Sequence, residues 1–138
     1  LLPPKLAFRA DASFAVPADF AQHRALLFVD AQAFGPADHA PVPLGFALTS
    51  RDADAVAHVE EFFVVAAFRR RGVGLEAAAA MFREHEGAWT FTVREENARA
   101  FPFWRRAIAR YGSVVERVEV GDDDVTRTRF SFRVRKLG

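Results

Sequence analysis

The chain has 138 residues, 51% hydrophobic and 27% charged, with 15 Phe and 2 Trp, which suits one folded domain rather than a disordered chain. It has no Cys, and its 4 His stand apart at positions 23, 39, 58 and 85; this excludes disulfides and thiolate chemistry and argues against a zinc site. With 19 basic and 18 acidic residues the net charge is +1, which lacks a general nucleic-acid footprint, and the longest purely apolar run, Phe62 to Phe68, is too short to cross a bilayer.

The chain opens Leu-Leu-Pro-Pro, with no Met, basic stretch or apolar stretch of a secretory signal. An interior fragment or a processed product is the expectation. Residues 1–24 are weakly patterned. Asp19 is expected to cap a short turn through Phe20 and His23. Leu26 to Phe34 reads as a strand, Gly35 to Pro43 as a Pro-rich turn, and Leu44 to Thr49 as a second strand that forms a long-looped hairpin with the first. Ser50 to Asp54 is a polar turn.

Val56 to Ala67 reads as a strand apolar on both faces in its last part, hence deep in a sheet. Strict alternation puts Ala57, Val59, Glu61, Phe63 and Val65 on one face and His58, Glu60, Phe62 and Val64 on the other. Leu75 to Glu84 is helical by propensity, with Leu75, Ala78, Ala79 and Phe82 on one side and Gly87 as a C′ residue. Trp89 to Val93 alternates as a strand. Asn97 to Tyr111 is a second helix, with Asn97 as a cap, Pro102 in the first turns and Gly112 after the end. Val114 to Val120 and Thr126 to Val134 are strands joined by Gly-Asp-Asp-Asp. On the last one Thr128, Phe130, Phe132 and Val134 face inward, and Arg127, Arg129, Arg133 and Arg135 face out.

The most informative stretch is Val64-Val65-Ala66-Ala67-Phe68-Arg69-Arg70-Arg71-Gly72-Val73-Gly74-Leu75, a turn between an apolar strand and a helix. A helix start leaves backbone N–H groups without intrahelical partners, and with the helix dipole these suit phosphate oxygens. Gly72 and Gly74 permit close backbone approach, and the arginines add charge. On spacing alone, phosphate binding and a plain solvated turn stand level. A P-loop is excluded because no Lys-Ser or Lys-Thr follows, and the dinucleotide fingerprint does not fit.

Here the sequence resembles the GCN5-related N-acetyltransferases (GNAT). Arg69-Arg70-Arg71-Gly72-Val73-Gly74 is similar to their Arg/Gln-x-x-Gly-x-Gly/Ala turn, and Asn97-Ala-Arg-Ala-Phe-Pro-Phe103-Trp104, ending at Tyr111-Gly112, to their Asn-led helix. The resemblance covers about residues 25–138. It implies an α/β acyl-CoA N-acyltransferase fold: a mixed, mostly antiparallel sheet flanked by helices, in one domain over 1–138. Residues 1–24 then stand for a reduced N-terminal part.

The resemblance implies a cytoplasmic enzyme that moves acetyl from acetyl-CoA to a primary amine by direct transfer. Amides from Arg70 to Leu75 are then expected to hold the pyrophosphate. Phe63, Val64 and Val65 are expected along the pantetheine arm and thioester, with an oxyanion donor at Val64 or Val65, and Asn97 and Trp104 beside the cofactor.

Glu60 and Glu61 are the expected general bases, with Glu61 slightly favoured, and His58 is a further candidate. Trp104 stands where the family often has a Tyr that protonates the leaving thiolate, so the general acid is unassigned. No metal, membrane or nucleic-acid partner is expected. The acceptor is a small-molecule or peptide amine, and a homodimer fits the reading. The rivals are a non-catalytic acyl-CoA sensor or scaffold and an arginine-mediated binder of nucleic acid or an acidic partner.

Overall fold

The alternating apolar segments become strands of one sheet. The computed structural model describes residues 6–9, 23–30, 43–65 and 72–135, and side chains within 23–29, 43–65 and 72–135. Its elements in chain order are β1 (Leu6–Arg9), β2 (His23–Asp30), β3 (Pro43–Arg51), β4 (Ala57–Val64), α1 (Val73–Arg83), β5 (Gly87–Arg94), α2 (Ala100–Ile108), β6 (Val115–Val120) and β7 (Thr126–Val134). The sheet runs β1-β2-β3-β4-β5-β7-β6, antiparallel throughout except for the β4–β5 pair. That is the expected mixed, mostly antiparallel α/β architecture, and the β2–β3 hairpin is as expected.

Both helices lie on one face. Trp89 and Phe91 of β5 pair with Phe132 and Phe130 of β7, so these rings share a face. Phe82 of α1 packs edge-on to Trp89 (5.1 Å) and Phe132 (5.0 Å), and Trp104 of α2 lies 4.6 Å from Phe91. With Leu26, Phe28, Met81 and Ile108 these rings form one buried core. Burying that many aromatic rings is the main stabilising term for so small a domain. Among the described residues no helix covers the opposite face.

Several expectations shift. His23 opens β2 rather than closing a turn, and Pro43 opens β3. Ser50 and Arg51 extend β3, paired with His58 and Ala57, because the turn itself needs only the residues around Asp52 to Ala55. α1 begins at Val73, and its buried side is Val73, Gly74, Ala77, Ala78, Ala80, Met81 and Phe82, so Leu75 and Ala79 flank that stripe instead of centring it. Glu84 is the α1 C-cap, and Gly87, with φ 123°, begins β5. α2 is shorter than expected: it starts at Ala100 with Arg99 as N-cap, so Asn97 does not cap it. Pro102 falls in its first turn, where no helical bond is lost. The expected ends of two strands at Phe34 and at Ala66–Ala67, the Asp19–Phe20 turn and the turn over 35–42 lie outside the described residues.

Candidate active site

β4 and β5 are neighbours but part quickly. They pair in parallel only at Ala57↔Trp89 and His58↔Thr90, although β4 continues to Val64 and β5 to Arg94. The sheet therefore opens between them. On the helix side Trp104 bridges this opening: its indole lies 5.0 Å from Phe62 of β4 and 4.6 Å from Phe91 of β5. Trp104 is 8% exposed, so it sits in the core under the opening.

The end of β4 is fixed by a close strand approach. Gly45 pairs with Val64, and a Cβ on Gly45 would overlap the Phe63 carbonyl oxygen. The Val65 N–H donates to the Leu44 carbonyl at 2.7 Å. That bond corrects the expectation for Val65 as an oxyanion donor, since its N–H is already turned to β3. Successive N–H groups of a strand point to opposite edges, so Val64 turns its own toward the β5 side. Phe63 lies on the face opposite the helices, with its ring 5.9 Å from Phe46.

The next described element after β4 is α1, whose start has no side-chain cap among the described residues. Its N-cap is Gly72, at φ 76° and ψ −2°, which has no side chain of its own to cap it. The first intrahelical bond runs from the Glu76 N–H to the Gly72 carbonyl, so the N–H groups of Val73, Gly74 and Leu75 precede the ladder. The two glycines differ in reason. At Gly72 a Cβ would meet nothing within 4 Å, so the residue is required by its left-handed backbone. At Gly74 a Cβ would stand 3.0 Å from the Phe103 ring, so this glycine lets α2 pack on α1. Arg69, Arg70 and Arg71 lie outside the described residues.

The carboxylates are rearranged by a β-bulge. Thr49 pairs with Val59 and Leu48 with Glu61, which leaves Glu60 as the extra residue on β4. Alternation is thereby broken: Ala57 and Val59 face the core before the bulge, and Phe62 and Val64 after it. Phe46, Leu48 and Ser50 share one face of β3, so their partners Phe63, Glu61 and His58 share it too. Glu60 joins them, because its Oε1 accepts a 2.6 Å hydrogen bond from the Ser50 hydroxyl. Glu60 and Glu61 thus lie on the same face rather than opposite ones. Both are exposed, and among the described residues only Glu60 is held by a side-chain hydrogen bond. Ser50 went unrecognised because its signal, a bulge that spoils alternation, leaves no trace in residue type.

His58 is engaged elsewhere. Its Nε2 lies 2.9 Å from Asp52 Oδ2, while Asp52 Oδ1 accepts the N–H groups of Asp54 and Val56. The His58 hydrogen bond, and then the Val56 N–H, hold the Asp52 carboxyl below its usual range. His58 therefore belongs to the β3–β4 turn. Asn97 is exposed in the turn between β5 and α2, where its carbonyl accepts the Ala100 N–H. Tyr111 stacks on Phe132 (5.5 Å), and burial pushes its phenol above the usual value. Its ring is partly buried and packs against the core. Among the described residues no group of His, Asp and Glu is placed to hold a metal ion, and no helix there is long and apolar enough to cross a membrane.

The sequence profile described as "Acetyltransferase (GNAT) family" matches residues 5–108. This chain belongs to the GNAT family. No curated protein matches it by sequence. Solved structures resemble the GNAT domain in fold, at low identity. A Bacillus anthracis protein described as a streptothricin acetyltransferase, in complex with acetyl coenzyme A, has TM-score 0.59 and 13% identity, over 81% of this chain and 62% of its own. Spermidine N-acetyltransferase of Vibrio cholerae, with CoA and spermine, has TM-score 0.63 and 11% identity, over 82% and 67%. Arabidopsis thaliana NAA60, with a bisubstrate analogue, has TM-score 0.64 and 12% identity, over 94% and 98%. The chain thus spans less than two thirds of the first of these.

Proposed function

We propose that this GNAT domain is an acetyl-CoA-dependent N-acetyltransferase acting on a primary amine. The observation that carries the reading is the parting of β4 and β5 in a chain whose next helix begins with uncapped N–H groups behind a left-handed Gly72. An extended thioester fits between such strands, and a diphosphate fits such a helix start. The neighbours solved with acetyl coenzyme A, with CoA and spermine, and with a bisubstrate analogue support the same ligands here.

In this reading the N–H groups of Val73, Gly74 and Leu75, with Gly72 and Arg69 to Arg71, hold the pyrophosphate. Phe63, Val64 and Val65 line the arm, and Asn97 meets it from the other side. Acetyl-CoA supplies the activated acetyl group. Glu60, steadied by Ser50, accepts the amine proton directly or through water, and Glu61 draws the cationic acceptor to the same face. Trp104 takes no proton role, so solvent protonates the thiolate.

Thiol release from acetyl-CoA, measured across a polyamine, an aminoglycoside and a peptide N-terminus, tests this. Release that depends on one amine class supports the enzyme and names its acceptor. Binding of acetyl-CoA without release to any amine supports the sensor reading instead.

A further inference from the structure

The outward arginines of β7 divide into two sets. Arg127 pairs with Asp123 (Nη2 to Oδ2, 2.8 Å), and Arg129 with Glu119 (Nε to Oε1, 2.7 Å). Arg133 and Arg135 have no acidic partner among the described residues. They instead line a cavity of about 400 Å³ together with Arg110, Tyr111, Gly112 and Ser113.

The cavity follows from strand lengths. β6 pairs with β7 only as far as Val115↔Ser131, so the last residues of β7 lack that neighbour. The segment after α2 passes this edge. Tyr111 anchors the segment by stacking on Phe132 and packing edge-on to Phe82, which sets Arg110 and Ser113 on either side of it. A Cβ on Gly112 would meet nothing within 4 Å, so the wall there is open backbone.

We infer that this cavity binds a phosphoryl group or a small compound carrying one. Three arginines line one cavity whose described lining holds no carboxylate, and an oxyanion there accepts their forked N–H donors. The Ser113 and Tyr111 hydroxyls and the Gly112 backbone add neutral donors. The volume exceeds what an orthophosphate fills and matches a nucleotide-sized ligand. The site is distinct from the α1 start. Arg110 also lines an adjoining cavity of about 320 Å³ that runs along α1 from Gly72, past Glu76, to Arg83. The phosphoryl group therefore has two sources: a free phosphorylated ligand, or the cofactor's own nucleotide end.

The test is a titration of the full chain with inorganic pyrophosphate at constant ionic strength, read by backbone amide shifts. Saturable shifts at Gly112 and Ser113 are expected, weakened about tenfold in Arg133→Ala and in Arg110→Ala. Arg117→Ala, an exposed arginine on β6, should leave the affinity unchanged. Shifts that never saturate, or an equal loss in Arg117→Ala, overturn the site. Repeating the titration with CoA present separates the sources. Competition assigns the phosphoryl group to the cofactor, and independent binding assigns it to a second ligand. Both support the site, and both stand apart from the acetyl-transfer assay.

Discussion

The Ser50 hydroxyl donates a 2.6 Å hydrogen bond to Glu60 Oε1 across the β4 bulge, and this fixes one carboxylate on the face opposite the helices. If Glu60 is the base, Glu60→Gln lowers kcat for an amine about 10²-fold at neutral pH. Glu61→Gln raises KM instead. Ser50→Ala removes the hydroxyl that holds the Glu60 carboxylate in place, so kcat falls, by less than in Glu60→Gln. Equal kcat losses in both glutamate variants would contradict the assignment.

Trp104 is expected to act through packing, not proton transfer. Trp104→Ala removes an indole that touches Phe62, Phe91 and Phe103, at a cost of about 3–5 kcal/mol measured by urea unfolding. Trp104→Phe keeps most of the packing, and its kcat should stay within about threefold of the parent. A large kcat loss in Trp104→Phe with stability retained would show a direct role.

Gly74→Ala brings a Cβ against the Phe103 ring at 3.0 Å, so α2 must shift on α1. A stability loss of about 1–3 kcal/mol is expected. Thermal unfolding alongside Gly72→Ala separates the two glycines. Gly72→Ala costs only the left-handed backbone, about 1–2 kcal/mol, with no packing change at Phe103.

His85 gives a pH dependence. Burial, then the Arg51 cation, hold its imidazole below the ordinary value of 6.5, although the Ala55 carbonyl at 3.0 Å favours an Nε2–H. The folded chain then binds fewer protons than the unfolded chain just below pH 6.5, so stability falls as pH falls through that window. Urea midpoints at pH 7.5 and 5.5 should differ less in His85→Asn than in the parent. An identical pH response in both would contradict it.

Much of this fold was readable because its signals are local. Thr126 to Val134 alternates without interruption and forms β7 with those bounds. The helix expected from Leu75 is there as α1, but it begins two residues earlier, at Val73, behind the left-handed Gly72. The misreadings have physical causes. Glu60 and Glu61 share a face because the bulge, set by pairing with Leu48 and Thr49, resets alternation. Asn97 has a capping side chain, but α2 starts at Ala100 because the turn after β5 closes through the Asn97 carbonyl. Val65 looked suited to an oxyanion, but which edge an N–H faces is decided by the partner strand, here Leu44. Gly72 to Leu75 were legible as a glycine-bearing turn into a helix, while Arg69 to Arg71 lie outside the described residues.

The α1 start is the proposed cofactor site. Calorimetric titration of acetyl-CoA into the parent chain and into Gly72→Val tests it most directly, with amide shifts followed in parallel. Saturable binding is expected in the parent, with shifts at Val73, Gly74 and Leu75, and affinity should fall at least about tenfold in Gly72→Val while the sheet amides stay in place. Absence of binding to the parent, or unchanged affinity in the folded Gly72→Val chain, would contradict it.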